Sequence, residues 1–176
     1  MVEEFLVGAH PSVELTRVLA TVLFTDIVDS TGEAGRMGDR RWRQLLDVHD
    51  ELAGRLVEQW GGRLVKTTGD RILATFDGPG RAIGCAAALR DELGELGVRI
   101  RAGLHTGEVE LRGDDVGGIA VHLAARVMAT AGAGEIVVSR TVRDLVVGSD
   151  VVLQDRGNRR LKGVEGDWQL FSLVGP

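Results

Sequence analysis

The run VLATVLF, Val18 to Phe24, constrains the fold of this chain more than any other stretch. A continuous apolar run of this length is typical of a central strand that other elements cover on both faces. It leads to Asp26, and an ionised carboxylate beside a buried strand is costly unless it is paired or binds a metal. The chain must therefore provide both a sheet around this strand and a partner for Asp26.

The elements after this strand follow an order that predicts an α+β fold. A long helix is predicted from about Asp39 to Trp60, with apolar residues on one face. Arg63 to Phe76 form a hairpin whose turn is Thr68-Gly69-Asp70. A second helix beginning at Pro79 and the alternating strand VRIRAGLHTG complete a βαββαβ order. This is the ferredoxin-like pattern, in which helices pack on one face of a sheet.

Further elements are appended to this core. A helix is predicted from about Gly118 to Ala129, EIVVS is a short strand, TVRDLV a short helix and WQLFSLV the final strand. Residues 1–17 contain both acidic and apolar residues, and His10-Pro11 breaks any helix there. They are therefore predicted to be a linker or the tail of a preceding domain, and the folded domain is expected at residues 18–174.

The βαββαβ order predicts that two aspartates meet. In that topology the first and third strands are antiparallel neighbours, so Asp26 at the end of the first lies beside Asp70 at the start of the third. Mg²⁺ held by one or two carboxylates plus substrate phosphates relieves the repulsion between them. The turn after Asp26 offers backbone N–H groups and the hydroxyls of Ser30 and Thr31 to phosphate oxygens. Alone, Asp26 or Ser30 could equally be a helix cap, and it is the pairing that favours a metal–triphosphate site.

Composition argues against several other functions. The net charge is -5 without a long Lys/Arg run, and Tyr is absent, which speaks against a nucleic-acid surface. The single Cys85 is predicted in the core and fits a reducing compartment. No apolar run reaches the ~20 residues of a membrane span, and the N-terminus does not resemble a signal peptide. A cytoplasmic protein without membrane insertion is expected.

Four motifs, FTDIVDST, KTTGDRILATF, GLHTGEV and DVGGIAVHLAARV, resemble in order and separation the catalytic domain of class III nucleotide cyclases. The resemblance covers about Val18 to Val174 and points to a bacterial subgroup that is often fused to other domains. The segment before Val18 is similar to that of cyclase domains that follow an α/β-hydrolase domain, which implies a covalently preceding domain in the full-length protein.

The resemblance implies a metal site and a set of cationic residues. Asp26 and Asp70 match the two metal-binding aspartates, and the carbonyl of Ile27 is a further ligand. The cofactors implied are two Mg²⁺ or Mn²⁺ ions per site. Arg126, in LAARV, matches the transition-state arginine, and Lys162, in RLKGV, resembles the late lysine that touches the triphosphate.

Two residues are implied as readers of the nucleotide base. Lys66 matches the lysine that recognises adenine, and Asp115 falls at the second base-reading position. Asp114 is a near alternative, because the register through RGDDVGG is open by one residue. An acceptor at Asp115 takes a hydrogen bond from the adenine amino group while Lys66 donates to a ring nitrogen. Guanine presents a carbonyl and a ring N–H instead, so the pair predicts ATP as the substrate.

The resemblance implies an adenylate cyclase that converts ATP to 3′,5′-cyclic AMP and pyrophosphate. The family's active sites lie between two subunits, which implies a homodimer with two equivalent shared sites. Two positions depart from the family pattern. His122 replaces an asparagine one helical turn before Arg126 and is counted among the catalytic residues, and Arg71 replaces the glycine often found after Asp70.

These departures leave a second interpretation open. It is a catalytically weak cyclase-homology domain that acts as a regulatory dimerisation or nucleotide-sensing module. A guanylate cyclase comes third, because Lys66 and Asp115 disfavour guanine. His105, on a strand beside glycines, is interpreted as structural.

Overall fold

The computed structural model describes residues 16–175, and its central strand is the one that the sequence predicts. Strand β1, Arg17–Ile27, pairs antiparallel with β3, Arg71–Phe76, on one side and with β4, Ile100–Arg112, on the other. Every residue of β1 from Ala20 to Ile27 is buried. The linker predicted at residues 1–17 falls almost entirely outside the described residues and stays a prediction.

The other described strands are β2 Arg63–Thr68, β5 Asp115–Gly117, β6 Ile136–Ser139, β7 Leu153–Arg160 and β8 Asp167–Leu173. The helices are α1 Ser30–Met37, α2 Asp39–Gln59, α3 Pro79–Glu95, α4 Ile119–Ala129 and α5 Arg140–Leu145. The described strands form one eight-stranded sheet in the order β2-β3-β1-β4-β6-β8-β7, with β5 paired to β4. The confirmed fold is α+β with a ferredoxin-like βαββαβ core and appended elements. No helix within residues 16–175 combines the length and apolar character needed to cross a membrane.

Alternate residues of β1 belong to two cores on opposite faces of the sheet. Leu23 packs with residues of α2 and α3, whereas Val22 and Phe24 pack with residues of α4. Helices α2 and α3 therefore share one face, as the ferredoxin-like order predicts, and α4 covers the other. A Cβ at Gly103 of β4 would overlap the backbone of Met128, so the glycine lets α4 lie directly on the strand.

The segment after β1 is a helix where the sequence predicts a turn. Ser30–Met37 is helical although it contains two glycines, which are poor helix formers. Asp29 precedes the helix with φ 56°, and a Cβ at Gly32 would overlap the Asp29 carboxylate. Arg36 pairs with Glu33 inside the helix and lies 3.5 Å from the Asp29 carboxylate. These local ion pairs support a helix that the glycines disfavour.

Two further boundaries and two strands differ from the sequence pattern. The long helix ends at Gln59, and Trp60, expected on its buried face, is 36% exposed beyond that end. Strand β4 continues to Arg112, well past the alternating motif. Strands β5 and β7 have no counterpart in the pattern, because β5 is only three residues long and β7 is largely exposed and polar.

Cys85 and His105 are buried, in agreement with the core and structural positions expected for them. The Nδ1 atom of His105 lies 2.7 Å from the Ser139 hydroxyl, and its ring meets Trp168 edge-on at 5.9 Å. Burial raises the pKa of the Cys85 thiol to about 12 and lowers the pKa of His105. Both side chains therefore remain neutral near pH 7.

Candidate active site

Asp26 is held at the end of β1 by a two-point contact with Arg101. Nε and one terminal nitrogen of Arg101 donate to the two carboxylate oxygens at 2.8 and 3.0 Å. The hydrogen bonds to Asp26 raise the pKa of Arg101, and the charges of Asp26 and Asp70 add to the effect. The other terminal nitrogen donates to the carbonyl of Ala129 in the last turn of α4 at 3.3 Å. The buried aspartate thus has a cationic partner within the chain.

Arg101 is the residue of this site that sequence reasoning missed. The alternation in VRIRAGLHTG predicts that Arg101 lies on the polar face of a strand, but it does not identify a partner for the side chain. Its contact depends on the register of β1 and β4, which sets Asp26 directly opposite Arg101 although they are 75 positions apart. An antiparallel alignment of the two strands would have been the only available signal.

Asp70 reaches the same end of β1 from the tip of the β2–β3 hairpin. Its Oδ2 accepts a hydrogen bond from the backbone N–H of Ile27 at 3.0 Å. Ile27 directly follows Asp26 in β1. The carboxylate of Asp70 therefore lies at the same end of β1 as Asp26, as the strand order predicts.

The donors at this end of β1 are of the kind that Mg²⁺ and Mn²⁺ bind. Two carboxylates with the backbone of Ile27 between them are hard oxygen ligands, and magnesium sites are commonly completed by substrate phosphates and water. No group of three His, Cys, Asp or Glu side chains suited to a metal occurs in the described part of the chain. The two carboxylates fit a divalent ion whose other ligands are phosphate oxygens and water.

Arg71, which replaces the family's glycine, lies beside this cluster. Its guanidinium carbon is 5.8 Å from the centre of the Phe24 ring, close enough for a cation–π contact. Phe24 precedes Asp26 by two residues on the same face of β1. The departure from the family pattern thus adds a positive charge to the face that carries Asp26.

Lys66 and Asp115 meet on the surface of the chain. Lys66 Nζ donates to Asp115 Oδ2 at 3.1 Å, and Asp115 Oδ1 accepts from the backbone N–H of Val116 at 2.8 Å. The hydrogen bond from Lys66 lowers the pKa of Asp115 most, and the hydrogen bond from the Val116 N–H lowers it further. Asp114 offers its backbone carbonyl to Arg63 at 2.8 Å. Asp115, rather than Asp114, is therefore the residue whose side chain contacts Lys66.

His122 and Arg126 lie one turn apart on α4, and the loop that carries Lys162 approaches them. A Cβ at Gly163 would be 3.6 Å from Nε2 of His122. Lys162 is exposed, whereas Arg126 is half-buried. The Nε of Arg126 is fully buried without a hydrogen-bond partner among residues 16–175. An unpaired buried donor is unusual, which marks this guanidinium as available to an acceptor.

Ser30 and Thr31 lie in the first turn of α1 and not in an irregular turn. The first N–H groups of a helix are suited to phosphate oxygens. The Asp29 carboxylate lies against Gly32 at the same helix start, however, and its charge opposes that of a phosphate. This helix start is therefore a weaker phosphate site than the sequence suggests.

The predicted site residues fall into two groups in one chain. Asp26 and Asp70 form the first, with Arg101. The second contains the pair formed by Lys66 and Asp115, together with the cationic residues of α4 and its neighbouring loop. No side-chain hydrogen bond or ion pair within residues 16–175 joins an aspartate of the first group to a residue of the second. A nucleotide would have to bridge the groups, or two chains would have to bring them together.

Sequence and structural comparisons agree on one family. A family model described as the adenylate and guanylate cyclase catalytic domain matches residues 16–175. The chain belongs to this family. The cyclase domain superimposes on the crystal structure of the adenylyl cyclase CyaB from P. aeruginosa with a TM-score of 0.84, at 22% identity, over 91% of this chain and 95% of that one. It superimposes on the adenylate/guanylate cyclase/hydrolase from Silicibacter pomeroyi with a TM-score of 0.78, at 28% identity, over 91% and 98%.

A curated relative of the cyclase domain is a protein of Rhizobium meliloti (strain 1021) named "Putative adenylate cyclase 3". It is 31% identical over 134 residues, which are 71% of this chain and 22% of that protein. This protein and two other curated relatives are longer than the chain, which spans between 19% and 56% of their length. Cyclase domains of this family generally bind nucleotides, depend on divalent metal ions and dimerise.

Proposed function

We propose that the chain is the catalytic domain of an adenylate cyclase that converts ATP to 3′,5′-cyclic AMP and pyrophosphate. The contact between Lys66 and Asp115, a donor and an acceptor that are each about half exposed, carries the proposal. Asp115 would accept from the adenine amino group, and Lys66 would donate to a ring nitrogen. Guanine offers a carbonyl and an N–H in their place, which would leave both residues mismatched.

Asp26, Asp70 and the carbonyl of Ile27 would hold two Mg²⁺ or Mn²⁺ ions in each site. When bound, such ions assist deprotonation of the ribose 3′-hydroxyl and stabilise the pyrophosphate leaving group. In the free chain Arg101 fixes the direction of the Asp26 carboxylate, because both of its oxygens accept hydrogen bonds from one planar guanidinium.

The positive charge that phosphoryl chemistry requires would come from α4 and its neighbouring loop. Arg126, whose buried Nε has no partner in the described chain, would donate to the α-phosphate as negative charge grows there. His122 would donate to the ribose or phosphate region in place of the family's asparagine. Lys162 would contact the triphosphate, and Ser30 and Thr31 would add hydroxyl contacts at the start of α1.

A homodimer with two shared sites would bring the two groups of residues together. Asp26 and Asp70 of one chain would face the base-reading and cationic residues of its partner. Val18 and Leu19 of β1 are large apolar residues exposed by 40% and 69%. With Val109, Leu111 and Val116 they line part of a groove of about 390 Å³, and an exposed apolar surface of this kind is typical of a protein interface. This apolar surface supports a second copy of the chain as the partner.

A catalytically weak nucleotide-sensing module is the second candidate, and the contact between Arg101 and Asp26 favours it. Both oxygens of Asp26 accept from the guanidinium. Each carboxylate oxygen keeps a second lone pair for a metal ion, but the positive charge of Arg101 opposes the approach of that ion. If this opposition is too strong, the chain binds nucleotide without turning it over.

Incubation with ATP or GTP and Mn²⁺, with the products identified by mass spectrometry, tests the proposal. We expect cyclic AMP and pyrophosphate from ATP and much less cyclic GMP from GTP. Asp70→Asn should abolish the product, whereas Arg17→Gln, at an exposed ion pair with Glu108, should not. An excess of cyclic GMP would overturn the assignment of the base. Nucleotide binding without a cyclic product would favour the sensing module.

A further inference from the structure

Arg71, Asp26 and Arg101 form a row across three neighbouring strands. Asp26 is paired with Arg101 across β1 and β4. On the other side the register of β1 and β3 ends with Thr25 opposite Ile72, so Asp26 and Arg71 are the next residues along the two strands. Residues opposite each other in antiparallel strands share a face of the sheet. One carboxylate of the candidate metal site therefore has an arginine on each side.

The two arginines differ in how firmly they are held. Arg101 donates twice to Asp26 and once to the carbonyl of Ala129. Arg71 is exposed and stacks over Phe24, a weak contact at an exposed position. Its side chain makes no hydrogen bond or ion pair within residues 16–175. Arg71 is therefore the guanidinium that can turn to a new anion at little cost.

The formal charges of the two aspartates and two arginines in this cluster balance. Asp26 and Asp70 contribute two negative charges, and Arg71 and Arg101 contribute two positive ones. A bare divalent cation therefore meets carboxylates whose charge is offset by guanidinium groups, which weakens its attraction. A metal complex of a triphosphate also brings anionic oxygens, which a planar guanidinium binds at two points. The cluster thus favours the metal–triphosphate complex over the metal alone.

We propose that Arg71 is a phosphate-binding residue, which leaves Phe24 and contacts the triphosphate when the nucleotide enters. The inference rests on the proposed function and deepens it, because the glycine of the family pattern has no side chain for this contact. Arg71 would act in the same half-site as Asp26 and Asp70. The metal and the nucleotide would then bind together, and not the metal first.

Isothermal titration calorimetry tests the proposal with two probes, each supplied with Mn²⁺. The first is 3′-deoxy-ATP, which lacks the attacking hydroxyl, and the second is inorganic tripolyphosphate, which lacks the base and sugar. Arg71→Gln removes the charge, and Arg71→Lys keeps it without the planar fork. Arg143→Gln is the matched control. Arg143 lies on α5, and its guanidinium carbon is 5.4 Å from the centre of the Phe171 ring on β8, so it makes the same kind of contact outside the row of Arg71, Asp26 and Arg101.

We expect Arg71→Gln to bind both probes about tenfold more weakly, because it loses one exposed charge-assisted contact. Arg71→Lys should stay within about threefold of the wild type, and Arg143→Gln should bind both probes normally. Equal affinity of Arg71→Gln and the wild type for tripolyphosphate would overturn the proposal, as would an equal loss in Arg143→Gln. If the wild type does not bind 3′-deoxy-ATP, the proposed function itself fails. The two failures are therefore distinguishable.

Discussion

Replacement of Arg101 by glutamine should destabilise the metal-free chain, because it removes the one cation that contacts Asp26 within residues 16–175. The arginine donates to both oxygens of a carboxylate whose side chain is only 12% exposed. Glutamine offers one uncharged amide donor on a shorter side chain. It therefore restores neither the second hydrogen bond nor the charge.

The expected loss in the free energy of unfolding is about 2 kcal/mol. Removing one partner of a fully buried ion pair costs about 3–5 kcal/mol, whereas an exposed pair contributes about 0–1 kcal/mol. The Arg101 side chain is 30% exposed, so the pair lies between these limits. For a chain of this size, about 2 kcal/mol lowers the Tm by about 4–8 °C.

Thermal unfolding in EDTA, followed by circular dichroism, measures this loss. A double-mutant cycle with Asp26→Asn should give a coupling of about 1–2 kcal/mol, since each single variant removes the same contact. Mn²⁺ should raise the Tm of Arg101→Gln more than that of the wild type, because the ion then meets no opposing guanidinium charge beside Asp26. Arg17→Gln is the control for an exposed pair. An unchanged Tm in Arg101→Gln, or additive single effects, would refute the reasoning.

Three further predictions concern the shared site, the base and the pH dependence. Mixing Asp26→Ala with Arg126→Ala should recover roughly a quarter of the wild-type activity, because about half of the dimers are mixed and each has one intact site; no recovery with proven mixed dimers would contradict shared sites. Lys66→Glu with Asp115→Cys should shift the ratio of product rates from ATP toward GTP, because donor and acceptor are exchanged, and an unchanged ratio in an active variant would exclude both as base readers. Burial lowers the pKa of His105, so the unfolded state is protonated first and the free energy of unfolding should fall as the pH drops below about 6.5. Urea unfolding at pH 7.5 and pH 5 should show a smaller fall in His105→Gln than in the wild type, and an equal fall would assign the effect elsewhere.

The central part of the fold could be predicted because its signals are local and strong. The continuous apolar run of β1 and the turn before Asp70 each identify an element, and the βαββαβ order then makes β1 and β3 neighbours. Helix α1 was beyond such reasoning, because its two glycines oppose helix formation and the ion pairs of Arg36 become visible only once the helix exists. Strand β7 was missed for a similar reason, since pairing with β8 and not an apolar pattern makes it a strand.

The candidate site was predictable only in part. Strand order was enough to bring Asp70 to the end of β1. The contact between Lys66 and Asp115 was not, because it depends on how the β4–β5 hairpin folds back toward β2, and only the family resemblance selected both residues. Arg101 was missed, because a polar residue on an alternating strand looks like an ordinary solvated side chain until the register gives it a partner.

The close packing of α4 on Gly103 has a consequence for how the activity of such a domain can be controlled. At Gly103 the helix backbone rests on β4 itself, and Arg101 ties the same strand to the carbonyl of Ala129 in the last turn of the helix. The helix that carries His122 and Arg126 therefore cannot slide or tilt without straining the centre of the sheet. In the proposed homodimer each subunit would therefore be a rigid body. A signal from a further domain would then change turnover by altering the angle between the two subunits, and the shape of each subunit would stay the same.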